Sequence, residues 1–519
     1  PSECRPAKRN MESNTELKAE STKCSILRLN TLRIFSLASA ILLTMMITVM
    51  CIGFLVSYEV ATEVSSVEDI PYWKDKLPPE QQLWYDEAIE ELQLALKRDL
   101  HKQLAHNAII FVTSGIDTEI MAAARALLAN RTKPQPALSW ERFPHLGRLK
   151  NSCSNTELCD PFTMASAIFN GVRSNFRVGG LDTGVLFRDC AAAANVSHHV
   201  KGLIEQAQEI GLRTGFVTTR RVTGASMAAL YARTPNTAWE CDTALPVAAN
   251  AAGCVDVAQQ LIKNAIGRKV NVIMGGGRQT LVSDVPNTVW DPVDETVCNS
   301  QDNRNIISDW QLLNVKLKRE FAVLQNNDDL RELNGTNIDH VMGIFANNYL
   351  QRTNDVNAHR RRVPQLSDMV TKSLNVLKRK DKRYLLVVET GVESTASVDT
   401  QTGTLLQLND VVQQTLDKTS ASETLVLVLF TNGQYVRNAV ESSGETDVAA
   451  NPIDFGNEEN TLIVKRLSDI ATEAVVYARG PHSNLLHGVH EETYMSYVLS
   501  YALQMGHFKQ NFVNEKKHR

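Results

Sequence analysis

No charge of one sign dominates this sequence, and nothing in it repeats. Lys and Arg number 54 against 58 Asp and Glu over 519 residues, a net charge of −4. Such a balance supplies no basic face, so no nucleic-acid partner is expected. Low-complexity tracts are lacking as well. Charge disappears altogether from Ile34 to Tyr58. That run is long enough to cross a bilayer, which takes about 20 apolar residues. It lies too far from the start, and lacks the small-residue cleavage site, for a typical signal peptide. At the other end Lys509 to Arg519 is polar and basic, so no lipid-anchor tail is expected there.

The rest of the composition, 43% hydrophobic and 22% charged, suits a large globular region. Basic residues precede the uncharged run (Arg5, Lys8, Arg9, Lys18, Lys23, Arg28, Arg33) and acidic ones follow it (Glu59, Glu63, Glu68, Asp69). The positive-inside rule then predicts a single-pass type II protein. Its parts are a cytosolic tail at 1–33, a transmembrane signal anchor at 34–58 and a juxtamembrane linker at 59–79. An extracellular or lumenal domain at 80–508 and a polar tail at 509–519 complete it. An uncleaved signal would leave the bulk of the chain on the same side. Three acceptor sequons agree, at Asn130, Asn195 and Asn334. Six of the nine cysteines follow the uncharged run (Cys153, Cys159, Cys190, Cys241, Cys254, Cys298) and can pair in an oxidising compartment.

Along the expected ectodomain, apolar runs alternate with helical periods. Glu80–Leu100 reads as an amphipathic helix, with Leu83, Trp84, Ile89, Leu92 and Leu96 on or near one face. Strands are predicted at 107–112, 214–218, 270–274, 384–389, 424–430 and 473–477. Helices are predicted at 118–128, 200–210, 225–232, 255–266, 366–377, 405–416 and 493–504. This alternation argues an α/β fold, doubly wound, with a mostly parallel central sheet and helices on both faces. A ligand site is then expected at the carboxyl ends of the strands. Residues 437–460 read as a polar surface excursion.

One stretch bears on chemistry. In Leu158-Cys159-Asp160-Pro161 and the small, apolar run up to Asn170-Gly171-Val172-Arg173, Asp160 can cap a helix and Pro161 suits its first turn. The same stretch resembles the nucleophile segment of the alkaline phosphatases. Other segments in family order resemble animal members: Asn107 to Val112 with Arg125, Arg142-Phe143-Pro144, Val217 to Ser226, Val272 to Arg278, Val388 to Gly391, and Ala478 to Pro481 with His487-Gly488-Val489.

The resemblance implies a serine nucleophile, two zinc ions, one magnesium and a phosphate-binding arginine. Carried over position by position, it implies losses. The nucleophile position is Pro161 and the arginine position Thr237. A second-shell histidine falls on Gly224. Zinc-ligand positions fall on Ser114, Ser394, Val398, Asn432 and Gly433, and the last zinc histidine on Asp469, which could still bind a cation. Ser226 and Glu389 keep their type at the magnesium site. Ala346 stands where the animal calcium site has an acid. On this reading no cofactor is expected; magnesium is the one candidate if a metal is held, and zinc is not expected. The resemblance also implies a Cys190–Cys254 disulfide and a homodimer.

Other patterns read more plainly. Leu181-Asp182-Thr183-Gly184 is an ordinary turn, and His482, His487 and His490 flank a turn into a helix. Cys159 has no helpful histidine, and pairing with Cys153 is the simpler reading; sequence does not fix the partners of Cys153, Cys159, Cys241 and Cys298. Two functions stay open. One is a membrane-anchored, catalytically inactive pseudoenzyme serving as an extracellular binding or structural module, its ligand unknown. The alternative is a phosphomonoester hydrolase with altered metal use, acting through Glu389, Asp469 and some unconventional nucleophile.

Overall fold

The computed structural model describes residue 39 and residues 42–50, 103–116, 120–129, 136–156, 159–335, 337–350, 363–392, 396–431 and 473–509. The chain divides into two units, Pro1–Arg98 and Asp99–Arg519. In the first unit the described residues are helical. Among the described residues no helix is long and apolar enough to cross a membrane. Most of the 34–58 run lies outside them, as do the 59–79 linker, Glu80–Leu100 and 437–460.

The second unit is built on one ten-stranded sheet. In chain order the strands are β1 (Asn107–Ser114), β2 (His145–Leu149), β3 (Arg213–Arg221), β4 (Val272–Gly276), β5 (Phe321–Leu324), β6 (His340–Ile344), β7 (Tyr384–Gly391), β8 (Thr424–Thr431), β9 (Ala474–Arg479) and β10 (Gly488–His490). Across the sheet they run β10-β2-β9-β8-β1-β7-β3-β4-β6-β5. From β8 to β5 every pair is parallel, and β9 runs antiparallel to both β8 and β2. The central strands are apolar on both sides because both faces are covered. Ala108, Ile110 and Val112 of β1 point into one core and Ile109 and Phe111 into the other. Helices α1 (Ile120–Leu128), α6 (Leu366–Leu377) and α7 (Val398–Asp417) enclose the second core. The first is enclosed by α2 (Pro161–Asn170), α3 (Leu203–Glu209), α4 (Val257–Lys263), α5 (Ile306–Lys316) and α8 (Tyr494–Leu503). The α/β, doubly wound, mostly parallel sheet expected from sequence is therefore the fold observed.

Some elements differ from expectation. Helix α7 starts at Val398 rather than Leu405, because Ser397 caps it by accepting from the Thr400 N–H at 3.3 Å. Its first turns carry no apolar stripe, yet they bury Gln401, Thr402 and Thr404. The predicted helix at 225–232 is regular only over Ala225–Ala228. Strands β2, β5, β6 and β10, of three to five residues each, and helix α5 escape a periodicity reading. Three disulfides staple the loops: Cys153–Cys159, Cys190–Cys254 and Cys241–Cys298. They fit a domain folded in an oxidising compartment.

Candidate functional site

The carboxyl ends of β1, β3, β7 and β8 bring together residues far apart in sequence. Parallel register sets Ser114 between Gly391 and Thr431, and Glu389 between Val112 and Thr218. Glu389 is 2% exposed, and its Oε2 accepts from the Thr218 hydroxyl at 2.6 Å. Beside it stands a cation that sequence reading missed. Arg220 donates through Nη1 to Ser114 Oγ at 2.6 Å and through Nη2 to the Tyr349 hydroxyl at 2.9 Å. Burial works against its charge, but Tyr349 and Glu389 outweigh burial and hold its pKa above the ordinary value. Arg221 lies on the same Tyr349 ring, 5.0 Å from its centroid, and forks onto Glu240. A charged pair at the end of an otherwise apolar strand was the available signal for the arginines. Tyr349, 129 residues from Arg220, had none.

The stretch that resembles a nucleophile segment forms α2, packed against one face of the sheet. Asp160 adopts an extended conformation and caps α2, its Oδ1 accepting from the Phe162 and Thr163 N–H groups at 3.1 Å each. Its Oδ2 accepts from the Arg177 N–H at 2.9 Å and from the Thr163 hydroxyl. Pro161 occupies the first helical position, where its fixed φ fits and its missing N–H is no loss. Gly171 closes the helix in the left-handed region at φ 72°. The helix start, a ready anion site elsewhere, is thus occupied by its own carboxylate. Pro161 faces a cavity of about 10 Å³, near the least that holds one water. Val112, Met164, Ile168, Phe169 and Leu429 line it, with Ser226 and Thr431 its polar members.

The sequence-derived positions fall in two adjoining groups, for Thr431 beside Ser114 and Val112 beside Glu389 also line the cavity at Pro161. Ser114 and Glu389 meet at the Arg220 network, while Ser226 meets Pro161 across the apolar cavity. Thr237 is half-buried and donates its N–H to the Arg177 carbonyl. Val398 sits at the start of α7, 57% exposed. Gly224 precedes helix 225–228. Cys190 and Cys254 are joined, Cα atoms 5.3 Å apart, and pack on Trp239. Asn195 and Asn334 are exposed. Asn130, Ser394, Asn432, Gly433 and Asp469 lie outside the described residues. At this edge the described donor set is one carboxylate with a guanidinium beside it, which does not by itself make up a zinc site. Of the positions that the resemblance gives to zinc ligands, Ser394, Asn432, Gly433 and Asp469 are not described.

Residues 105–432 match the family model described as alkaline phosphatase. The chain is 28% identical to alkaline phosphatase 4 of Drosophila melanogaster, over 83% of either chain. It is 28% identical to the alkaline phosphatase of Gadus morhua, over 82% of this chain and 98% of that one. With the human tissue-nonspecific isozyme it shares 26% over 82% and 88% respectively. In fold it is similar to alkaline phosphatases from Thermus thermophilus (TM-score 0.53, 16% identity, 78% and 94% covered) and the Antarctic bacterium TAB5 (0.51, 14%, 78% and 99%). These findings correct one expectation, that no cofactor is used and zinc is not to be expected. The family matched is one of zinc and magnesium proteins, and a mutant of the TAB5 protein is described with magnesium in its M3 site. Taken with the sheet, the register at its carboxyl edge and the placement of α2, the match shows that this chain belongs to the alkaline phosphatase family.

Proposed function

We propose that this chain is a catalytically inactive member of its family, serving outside the cytosol as a binding or structural module. The observation that carries the reading is Pro161 at the nucleophile position. Covalent transfer needs an activated hydroxyl there, and proline offers none, whatever metal the chain holds. Two further features support it. Thr237 stands where a guanidinium would fork onto phosphoryl oxygens, and the wall facing Pro161 is apolar. A doubly charged phosphate ester brought against that wall would be desolvated without compensation.

The test uses the full chain with 4-nitrophenyl phosphate at alkaline pH, zinc and magnesium supplied. The expected turnover is that of a mock preparation, for the wild type and for Pro161→Ser alike, because the hydroxyl, the arginine and the metal ligands act jointly. Metal-dependent turnover well above the mock preparation in the wild type would establish the hydrolase alternative; turnover in Pro161→Ser alone would show that the remaining ligands suffice and that the losses are not jointly required.

The same reading includes membrane attachment by one span at about 34–58, with a cytosolic N-terminus. It rests on the charge asymmetry around that run, on the three disulfides and on a Bombyx mori relative named membrane-bound. An epitope at residue 1 should be hidden from antibody on intact cells; staining without permeabilisation would reverse the topology.

A further inference from the structure

The basic face that the overall charge balance does not supply arises locally, at the amino-terminal edge of the sheet. From β8 to β5 every pair of neighbouring strands is parallel, so the segments that enter them lie along one edge, in the order β8-β1-β7-β3-β4-β6-β5. Into β7 runs Lys378-Arg379-Lys380-Asp381-Lys382-Arg383. Arg268 and Lys269 precede β4, and Lys316, Lys318 and Arg319 precede β5. Lys418 closes α7 ahead of β8. Hydrogen bonds tie these segments to their neighbours. Lys378 Nζ donates to the Lys418 carbonyl at 2.8 Å, Arg213 Nη1 to the Val376 carbonyl at 2.7 Å, and Arg319 Nη1 to the Arg268 carbonyl at 2.6 Å. At a strand spacing of about 4.8 Å the row from β8 to β5 is about 29 Å long.

The charges along this row are not balanced. Asp339 pairs with Arg213 and Arg379, and Glu209 with Lys201. Among the described residues Arg268, Lys269, Lys316, Lys318, Lys380 and Lys382 have no ion-pair partner, and all six are exposed. The acids left at this edge are Glu320, Asp381, Asp417 and Glu423. Around β2, by contrast, Arg148, Lys150 and Arg173 each face a glutamate. The cations also press on one another. Burial and then Arg268 lower the pKa of Arg319, and burial and then Lys418 lower that of Lys378. Helix carboxyl ends favour a cation, which accounts for Lys316 in the last turn of α5. It does not account for Lys380 and Lys382, which lie beyond the end of α6.

We propose that this edge binds a sulfated polysaccharide laid across the starts of the strands. Separate, exposed cations spread over about 29 Å suit a chain that repeats its negative charge along its length. A single phosphate or sulfate would meet only one or two of them. Short runs rich in Lys and Arg serve as heparin or nucleic-acid patches. Single-stranded nucleic acid stacks on aromatic rings, and among the described residues no Phe, Tyr or Trp is exposed along this edge. Leu312, Val315 and Leu317 are exposed at its β5 end, which makes an anionic lipid surface the competing occupant. Anionic lipid belongs to the cytoplasmic leaflet, across the membrane from a domain outside the cytosol. The inference takes that placement from the proposed function, and not the loss of catalysis.

Fluorescence anisotropy of a labelled heparin dodecasaccharide, with the full chain in a neutral detergent at about 0.15 M salt, tests it. Saturable binding that weakens as salt is added is expected, and fully desulfated heparin should not compete. Lys269→Ala, Lys316→Ala and Lys382→Ala each remove one exposed cation, before β4, β5 and β7 respectively. At the usual worth of a surface cation to an anionic partner, each should weaken binding about fivefold. The triple variant should weaken it about a hundredfold, because distant sites add. Basic residues near the two ends of the chain bind heparin alike in wild type and variants, so the difference between them is the readout. No saturable binding, a triple variant within about twofold of wild type, or a loss confined to one of the three positions overturns the proposal. So does displacement of heparin by mixed micelles of phosphatidylserine at a lower concentration of charge, which would give the edge to lipid. Phosphatase activity does not enter any of these readings.

Discussion

Neutralising Asp160 separates a structural carboxylate from one kept for chemistry. Four donors converge on it: the N–H groups of Phe162, Thr163 and Arg177, and the Thr163 hydroxyl. In Asp160→Asn the amide oxygen keeps the two helix N–H groups, and its NH₂ then faces the Arg177 N–H. The Thr163 hydroxyl can turn to accept, but the Arg177 N–H cannot. Leaving that donor unpaired costs about 1–3 kcal/mol. Losing the negative charge at the start of α2 costs about 0.3–1 kcal/mol more. The expected loss is therefore about 1–4 kcal/mol, and Asp160→Ala, which removes both acceptors, should lose at least as much. Urea unfolding followed by tryptophan fluorescence measures it. Variants within about 0.5 kcal/mol of wild type, the range of an inconsequential surface change, would refute the assignment and return Asp160 to the list of groups kept for a ligand.

Two further outcomes are expected. His340 is buried with Nδ1 against the Val270 carbonyl at 2.9 Å, and burial lowers its pKa from 6.5 to about 4. Between those values the unfolded chain binds the extra proton, so stability is full above about pH 6.5 and falls by about 3 kcal/mol as pH drops to 4. His340→Gln should flatten that limb, and parallel wild-type and mutant curves from pH 8 to 4 would remove the cause assigned. Animal relatives pair two-fold, as the resemblance implies, and light scattering of the full chain should give a dimer at micromolar concentration; a monomer would count against that part of the reading.

The sheet was legible because its central strands are buried on both faces and read as unbroken apolar runs. Tyr384–Gly391 and Thr424–Thr431 are of this kind. Helix α6 was legible because its apolar residues keep the helical period and Gln365 and Lys378 bound it. The peripheral strands β5 and β10 are too short to show alternation, and the antiparallel turn of β9 has no signature in its own residues. The site divides the same way. What depends on neighbours in the chain, such as Asp160 capping the helix with Pro161 in its first turn, could be read directly. What depends on the sheet closing could not: Arg220 reaches Ser114 across 106 positions and Tyr349 across 129.

The two halves of the site argue the same point from different physics. At α2 each local choice is the one that makes a helix start well: an extended aspartate cap, proline at the first position, small residues behind, and a left-handed glycine at the end. Here the Phe162 and Thr163 N–H groups at the helix start are both taken by Asp160 Oδ1. At the strand ends the buried charge of Glu389 is met by a hydroxyl hydrogen bond and by the Arg220 guanidinium beside it, so the described part of that edge is already near electrical balance. On the inactive reading proposed above, restoring chemistry would mean unmaking a stable cap and a satisfied ionic network together. That is why one serine at position 161 is expected to change so little.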